Sequence, residues 1–319
     1  MEPMKHPVVV VAGGLSHQRA VSLRSGRTVA AALRRVGHDV IEADIDAHLV
    51  PLLRSRPDAV VFPMLHGGVG EDGGLSEVLR LLSIPFVGSG PASCRISYDK
   101  PVATRIVASA GVTSPRQVAL THDILRELGA ATVVDAVAEA IGLPLVVKPA
   151  RGGSSLGVCR VSDVADLPQA MADAYAYDER IVVEQYVSGT EVAIGMITTA
   201  SGTRVLPVVE IRPTGGVYDY SAMYTAGETR LTAPADIPDD QVRACEQMAL
   251  TVREVLDLDG ISRVDAVIDD HGRPVFLEAG VAPGMTDTSL VPVGLEAAGL
   301  DLGEVCSELV ADAHARLHD

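Results

Sequence analysis

A lysine followed by a loop of small residues is the first feature of the sequence that suggests chemistry. Lys148 ends the apolar run LPLVVK and precedes PARGGSSLG at residues 149–157. The chain has 26 basic residues, but only Lys5, Lys100 and Lys148 are lysines. An ammonium group is a compact charge suited to a phosphate, whereas a guanidinium is a planar fork. Lys148 is therefore a candidate phosphate ligand, although taken alone it is equally compatible with an ordinary surface position.

Composition limits the classes of protein to which the chain can belong. Its 319 residues are 47% hydrophobic and 21% charged, which is typical of a globular chain with two or three domains. The formal net charge of -16 argues against a nucleic-acid or anionic-membrane surface, because both require a basic face.

The apolar runs are too short for a signal peptide or a membrane span. The four cysteines show no CxxC spacing, so neither zinc nor disulfides are indicated. We expect a cytoplasmic protein.

Signals for buried strands and helices alternate along the first part of the chain. The apolar run at residues 8–12 ends in Gly13-Gly14, Ser16 opens a segment with helical spacing, and similar runs recur in HDVIEADI, DAVVFPM and IPFVGSG. This alternation predicts a parallel sheet covered by helices over residues 1–92. The segment AGGLSH lacks the third glycine of the dinucleotide fingerprint, so no nicotinamide site is predicted.

The later segments predict two further α/β domains. A helical stretch after Asp99-Lys100, the helix TVVDAVAEAIG, and the strands LPLVVKPA and GVCRV, which form a hairpin-like flap, fall within residues 93–182. Residues 183–319 carry strand signals at IVVEQYVSGTEVAIGMI, RVLPVVEI, SRVDAVID and RPVFLEAG, and then a helical tail from Ala297 to His318.

Three of these segments together resemble the ATP-grasp ligases. They are the lysine and Gly/Ser flap in VVKPARGGSSLG, the acidic strand VVEQYVSGTE, and the acid pair of RVDAV and FLEAG. The blocks VAGGLSHQRAVSLRSG, MLHGGVGEDGGLSEVL, IPFVGSG, YDYSAMY and APGMTDTSLVP are similar, in the same order, to those of the D-alanine–D-alanine ligase family. The resemblance covers nearly the whole chain. It implies an α/β ATP-grasp fold of three domains, with a Rossmann-like N-terminal parallel sheet and with ATP between the central and C-terminal domains.

The resemblance assigns the nucleotide site to two lysines and the flap. Lys100 and Lys148 match the family's phosphate-binding lysines, and Ser154 and Ser155, with the backbone amides around them, would form an anion nest. Two of the three lysines of the chain fall at these positions, which accounts for lysine in a chain that otherwise uses arginine. The adenine and ribose contacts would come from the hinge strand, at Glu184, Val187 and Glu191.

The acid pair is assigned by the resemblance to magnesium. Asp265 and Glu278 would face the ATP phosphates from neighbouring strands, and Mg²⁺ takes such carboxylates together with phosphate oxygens and water. The family's third ligand, an asparagine two residues after the glutamate, is Gly280 here. We therefore expect one or two magnesium ions, with the second held more weakly or through water.

The remaining matched positions concern the amino-acid substrates. Arg263 and the Gly284 amide match the groups that stabilise the tetrahedral intermediate, while Ser289 and Leu290 match the carboxylate site of the second amino acid. His66 matches a histidine of the first-substrate site. Some of these assignments have ordinary alternatives. Ser289 could be a turn residue and His66 a structural histidine. The acids of the nucleotide and metal sites could lie on solvated strand faces.

Three site positions depart from the family's pattern. The glutamate that meets the ammonium group of the first substrate is Gln18, the lysine before Tyr224 is Met223, and the third metal ligand is Gly280. Gln18, Ser154 and Tyr224 still occupy catalytic positions of the family, but residue 18 has lost its charge. Because a charge-assisted hydrogen bond is roughly twice as strong as a neutral one, we expect a changed first-substrate site.

The sequence therefore supports one main function and three alternatives. The main function is the ATP-dependent joining of two D-alanine molecules through an acyl phosphate, by a homodimer that serves peptidoglycan synthesis. One alternative is a related ligase with a different first substrate, and another is a nucleotide-binding protein with little ligase activity. The third, a different ATP-grasp enzyme such as a biotin-dependent carboxylase subunit, is disfavoured by HGGVGEDG and PGMTDTSL.

Overall fold

The N-terminal part of the chain folds around a three-stranded parallel sheet. The computed structural model describes residues 5–153, 155–213 and 228–316. The strand order is β2-β1-β3, with β1 at Val8–Val11, β2 at Val40–Ala43 and β3 at Val60–Pro63. All four valines of β1 are buried, as a strand covered on both faces requires. The connecting helices are α1 (Arg19–Arg35), α2 (Leu49–Arg54) and α3 (Gly74–Leu81). The predicted parallel sheet is confirmed.

The fourth strand predicted for this sheet is reduced to a single bridge. The segment IPFVGSG pairs with β3 only through Phe86, which lies in a parallel bridge with Val61. Pro85 has no N–H group to extend the ladder in one direction. In the other direction the chain reaches Gly88, whose φ of 118° is not compatible with a continuing strand.

The central part of the chain forms a four-stranded antiparallel sheet. Its strand order is β4-β7-β5-β6, with β4 at Gln117–Thr121, β5 at Leu145–Pro149, β6 at Cys159–Val161 and β7 at Arg180–Gln185. The predicted hairpin of LPLVVKPA with GVCRV is confirmed as the pair β5–β6. The helices of this part are α4 (Pro91–Tyr98), α5 (Lys100–Ser109), α6 (His122–Leu128), α7 (Ala130–Ile141) and α8 (Leu167–Tyr175).

The C-terminal part contains a second antiparallel sheet. Its order is β11-β10-β8-β12-β13, and β9 pairs with β8 at one end. The strands are β8 (Gly189–Thr199), β9 (Gly202–Val205), β10 (Val209–Pro213), β11 (Thr229–Thr232), β12 (Gly260–Asp269) and β13 (Pro274–Gly280), and α9 (Asp239–Leu256) packs against the sheet. The β12–β13 pairing places Asp265 directly opposite Glu278.

The helix predicted from Ala297 to His318 begins later than predicted, at Leu302, and a helix that was not predicted precedes it. Helix α10 covers Leu290–Ala297 and α11 covers Leu302–Arg316. Gly299, at a φ of 67°, ends the first helix in the left-handed conformation typical of C-caps. Asp301 then accepts a hydrogen bond from the Glu304 amide at 3.0 Å, which is an N-cap interaction that starts the second helix.

The N-terminal sheet shares its core with the C-terminal helices. Val10 and Phe62 of that sheet lie in one buried cluster with Val291 of α10 and Leu309 of α11. Met285, in the loop between β13 and α10, belongs to the same cluster. This packing fixes the 281–289 loop against the first domain. Within the described ranges, no helix combines the length and apolar content needed to cross a bilayer.

Candidate active site

Lys148 and Glu184 form a buried ion pair on adjacent strands of the central sheet. Lys148 lies near the end of β5, and its Nζ is 2.6 Å from Oε1 of Glu184 on β7. Their side chains are only 8% and 6% exposed. Two charges removed from water in this way depend strongly on one another. Glu184 is therefore not an acid on a solvated strand face, and Lys148 is not an ordinary surface lysine.

Lys100 connects the flap to the C-terminal sheet. It is the first residue of α5, and its Nζ donates a hydrogen bond to the Gly152 carbonyl at 2.6 Å. The same ammonium group lies 3.3 Å from Oε2 of Glu278 on β13. Lys100 is buried. One cation thus contacts both the loop predicted to cover phosphates and one of the predicted metal ligands.

A cavity of about 510 Å³ lies between the central and C-terminal sheets. This is the size range of cofactor and small-molecule sites. All the predicted nucleotide ligands within the described ranges line it: Lys100, Lys148, Ser155, Glu184, Val187 and Glu191. Asp265 and Glu278 line it as well. The structure therefore brings together residues that are widely separated in the sequence.

Glu191 has an unusual protonation state in this cavity. Burial, together with the neighbouring carboxylates of Asp265 and Glu278, raises the pKa of Glu191 to about 8. The carboxyl group therefore keeps its proton at neutral pH. A protonated carboxyl can donate as well as accept hydrogen bonds, which suits a contact with ligand hydroxyl groups.

Arg263 lies on the β12–β13 hairpin, which also carries Asp265 and Glu278. Its Nε and Nη2 atoms each donate to a different oxygen of Asp265 at 2.7 Å, and Nη2 is 4.0 Å from Oε1 of Glu278. Burial acts to raise the pKa of Glu278, but the charges of Lys100, Lys148 and Arg263 outweigh it and hold the pKa below its ordinary value. Glu278 is therefore ionised at neutral pH.

The two carboxylates fit a magnesium ion that carries phosphates. They are hard oxygen donors opposite one another on neighbouring strands, and magnesium in nucleotide sites commonly takes one or two protein carboxylates. In the part of the chain that the structure describes, no cluster of three or more His, Cys, Asp or Glu side chains could hold a metal alone. Gly280 stands opposite Arg263 in the hairpin and supplies no side-chain donor.

A second, smaller cavity of about 90 Å³ adjoins the first. Lys100, Gly152, Gly153 and Glu278 line both cavities. The smaller one is also lined by every predicted substrate or intermediate ligand within the described ranges: Gln18, His66, Arg263, Gly284, Ser289 and Leu290. Ser154, Met223 and Tyr224 lie outside the described residues.

Gln18 is buried between two glycine-containing loops. A Cβ atom added to Gly67 would lie 2.9 Å from Gln18 Nε2, and one added to Gly153 would lie 3.3 Å away. The backbone N–H of Gln18 donates to Ser16 Oγ at 3.1 Å. Its side chain thus occupies the boundary between the first domain and the flap, as its predicted role requires.

The Ser289 hydroxyl takes part in a turn. It accepts a hydrogen bond from the Thr286 amide at 3.0 Å and lies 2.8 Å from Thr286 Oγ1. A Cβ atom added to Gly284 would come within 2.8 Å of Ser289 Oγ. Ser289 is therefore a turn residue, as the alternative interpretation predicts. The turn also positions Ser289 in the wall of the smaller cavity.

His66 links the first domain to the 281–289 loop. Its Nδ1 atom donates to the Ala282 carbonyl at 3.0 Å, and its Nε2 atom lies 2.9 Å from Ser25 Oγ. Ser25 Oγ in turn accepts from the Met285 amide at 3.1 Å, so its proton is available to Nε2. Burial, with a smaller contribution from Arg263, lowers the pKa of His66 to about 4, against the effect of the Ala282 carbonyl. The ring is neutral and positions the loop.

This buried histidine predicts a loss of stability in mild acid. As pH falls below the ordinary pKa of 6.5, the unfolded chain binds a proton at residue 66 that the folded chain does not bind. The free energy of unfolding should therefore fall between pH 6.5 and about 4, by roughly 3 kcal/mol from this residue. Urea denaturation of wild type and His66→Gln across this range measures it. A stability difference between the two proteins that does not change with pH would contradict the prediction.

Sequence reasoning missed Glu71, which also lines the smaller cavity. Burial raises the pKa of Glu71 to about 7, partly offset by a hydrogen bond from the Gly67 amide and by Lys100. The available signal was its place in the glycine-rich segment HGGVGEDGG, which begins at His66.

Comparison with known proteins identifies the family. The family model described as "D-ala D-ala ligase C-terminus" matches residues 106–311. A D-alanine–D-alanine ligase of Anaeromyxobacter dehalogenans strain 2CP-C is 39% identical over 306 residues, covering 96% of each chain.

Solved structures agree with this result over nearly the whole chain. The D-alanine–D-alanine ligase of Bacillus anthracis complexed with ATP has a TM-score of 0.81 at 26% identity, covering 99% of each chain. The VanG D-Ala:D-Ser ligase of Enterococcus faecalis has a TM-score of 0.82 at 26% identity, covering 97% of this chain and all of its own. The predicted ATP-grasp fold is confirmed. The chain belongs to the D-alanine–D-alanine ligase family.

Proposed function

We propose that this protein is an ATP-dependent ligase that joins two D-alanine molecules into a dipeptide. The observation that carries the proposal is the wall shared by the two cavities, where Lys100 and Glu278 face both. A nucleotide in the larger cavity would point its terminal phosphate at an amino acid in the smaller one. The named activity of the relatives over almost their full length supports the same conclusion.

The reaction would proceed through an acyl phosphate. The carboxylate of the first D-alanine attacks the terminal phosphorus of ATP and releases ADP. The amine of the second D-alanine then attacks the acyl carbon, the C–O bond to phosphate breaks, and the amine loses a proton. Positioning and electrostatics supply most of the rate in such phosphoryl transfers.

The residues of the site would divide this work between them. Lys148 and Lys100 would neutralise phosphate charge, and the Ser155 region of the flap would cover the phosphates. Arg263 and the Gly284 amide would stabilise the oxyanion of the tetrahedral intermediate. Magnesium held by Asp265 and Glu278 would supply further charge neutralisation at the phosphates.

The open space at Gly280 leads to a prediction about metal affinity. A Cβ atom there meets no described atom within 4 Å, so Gly280→Asn should fold normally and add an oxygen donor beside Glu278. We expect magnesium to bind roughly tenfold more tightly in the presence of ADP. Calorimetric titration of magnesium measures this, and Gly280→Ala is the matched control because it fills the space without a donor. Equal affinities of the alanine and asparagine variants would contradict the prediction.

The neutral side chain at Gln18 keeps a second candidate open, a ligase of the same mechanism with a different first substrate. Phosphate release from ATP and Mg²⁺ should be compared without amino acid, with D-alanine, with L-alanine, and with pools of other acyl donors, with mass spectrometry of the products. Our proposal predicts release that depends on D-alanine, with D-alanyl-D-alanine as product. Turnover only with another donor would replace it by the second candidate. ATP binding without turnover in any mixture would indicate a protein that has lost ligase activity.

The biological setting is proposed on the same family grounds. We infer a cytoplasmic homodimer that supplies dipeptide for peptidoglycan, with domains at residues 1–92, 93–182 and 183–319. Light scattering coupled to size-exclusion chromatography tests the dimer, and a particle with the mass of one 33.3 kDa chain would contradict it.

A further inference from the structure

Glu71 occupies a fixed position in the wall of the smaller cavity. It follows the turn at Gly68–Gly70, where its amide donates to the Gly68 carbonyl at 2.9 Å. Its carboxyl group accepts a hydrogen bond from the Gly67 amide. These contacts hold the side chain on the loop that also carries His66, and Glu71 is a partly buried residue that lines the cavity.

The charged side chains of this cavity are paired, with one exception. Its charged lining residues are Glu71, Lys100, Arg263 and Glu278. Lys100 lies 3.3 Å from Glu278, and Arg263 is engaged by both oxygens of Asp265. Glu71 forms no salt bridge among the residues that the structure describes. Among the described residues, the cavity therefore has one carboxyl group with no lysine or arginine within salt-bridge distance, although the charges of Lys100 and Arg263 are near enough to act on its pKa.

A bound amino acid would bring the missing cation. Its α-ammonium group is charged at neutral pH and must be desolvated on entering a closed cavity, which is costly without an anion. Gln18 presents only a neutral amide to the same cavity. The volume of about 90 Å³ corresponds to several water-sized positions, which is room for a small amino acid.

We propose that Glu71 binds the α-ammonium group of the first amino acid and so makes the enzyme select a donor that carries an amine. The inference rests on the proposed ligase function, because it concerns the donor of that reaction. The loss of charge at Gln18 is then compensated from the adjacent loop, which carries both Gly67 and Glu71. Under this proposal the first substrate remains an amino acid, and the acceptor site takes no part in the selection.

A competition between two donors tests the proposal. D-Alanine and propionate, which is the same acid without the amine, are supplied together with ATP, and D-alanine serves as the common acceptor. The ratio of D-alanyl-D-alanine to propionyl-D-alanine, measured by mass spectrometry, reports donor selection. This ratio does not depend on the amount of folded enzyme or on ATP affinity, because both products are formed in one mixture by the same enzyme with the same ATP.

The expected result is a fall in this ratio of about tenfold or more in Glu71→Gln. The glutamine keeps an oxygen for the Gly67 amide, so the loop should be preserved. Adding Gln18→Glu to this variant returns a carboxylate to the cavity, and the ratio should recover. Asp72→Asn is the matched control, because it removes the neighbouring charge outside the cavity and should leave the ratio unchanged.

Other outcomes would overturn the inference. They are an unchanged ratio in Glu71→Gln, a fall that Gln18→Glu does not reverse, or an equal fall in Asp72→Asn. If Glu71→Gln does not fold, Glu71→Asp replaces it, and the loss of reach should lower the ratio while the charge is kept; an unchanged ratio there overturns the inference. Wild-type protein that makes no dipeptide would instead refute the proposed function itself.

Discussion

Lys148→Met is expected to destabilise the protein and to abolish tight ATP binding. The substitution would leave Glu184 buried without the ammonium group that lies 2.6 Å away. Removing one partner of a buried ion pair typically costs about 3–5 kcal/mol. The same change removes a cation from the wall of the larger cavity, where a nucleotide phosphate would need it. Urea denaturation and ATP titration measure the two effects separately.

Two further variants separate the structural effect from the binding effect. Lys148→Met with Glu184→Gln removes both charges, so it should regain most of the lost stability but not the ATP affinity. Lys5→Met is the matched lysine control, since Lys5 contacts Ser307 at 3.1 Å and does not line either cavity. A Lys148→Met protein that binds ATP like wild type would contradict the assignment of Lys148 to the phosphates.

Arg263→Lys is expected to lower kcat by about 100-fold or more, with little change in ATP affinity. A lysine keeps the positive charge but cannot reproduce the two parallel hydrogen bonds, each 2.7 Å long, that hold Asp265. The oxyanion of the tetrahedral intermediate would therefore lose an aligned donor. Steady-state phosphate release with D-alanine gives kcat, and calorimetry gives the ATP affinity.

The same hairpin offers a matched control for Arg263. Arg273 donates from Nε at 3.1 Å and from Nη2 at 2.9 Å to Oδ2 of Asp269, but this pair lines neither cavity. Arg273→Lys should leave kcat unchanged within a factor of about two, because exposed ion pairs contribute little. Equal effects of the two substitutions would show that Arg263 acts only through the stability of the hairpin.

The sequence predicted residues that line the two cavities better than it predicted which residues pair with them. The scarcity of lysine pointed to Lys100 and Lys148, and both line the larger cavity. The ion pair between Lys148 and Glu184 was not predicted, because it depends on the pairing of β5 with β7. Strand register between distant segments is set by tertiary packing and turns, and local residue preferences do not specify it.

The missed features have similar causes. Glu71 was not predicted as a site residue because its role is inferred from the charged residues that surround it in the folded protein. Those neighbours are distant in the sequence. The predicted start of the tail helix at Ala297 was too early, although Gly299 and Asp301 carry a local signal for the boundary between α10 and α11. IPFVGSG had strand-forming residues, but Pro85 limits its pairing to one bridge.

The most direct test of the acyl-phosphate mechanism uses D-alanine labelled with ¹⁸O in both carboxylate oxygens. We expect each dipeptide formed to be accompanied by one inorganic phosphate carrying a single ¹⁸O atom, because the bridging oxygen of the acyl phosphate leaves with phosphorus. The dipeptide should keep the other label in its peptide carbonyl. Unlabelled phosphate released together with labelled dipeptide would contradict transfer through the donor carboxylate, and with it the proposed chemistry of this site.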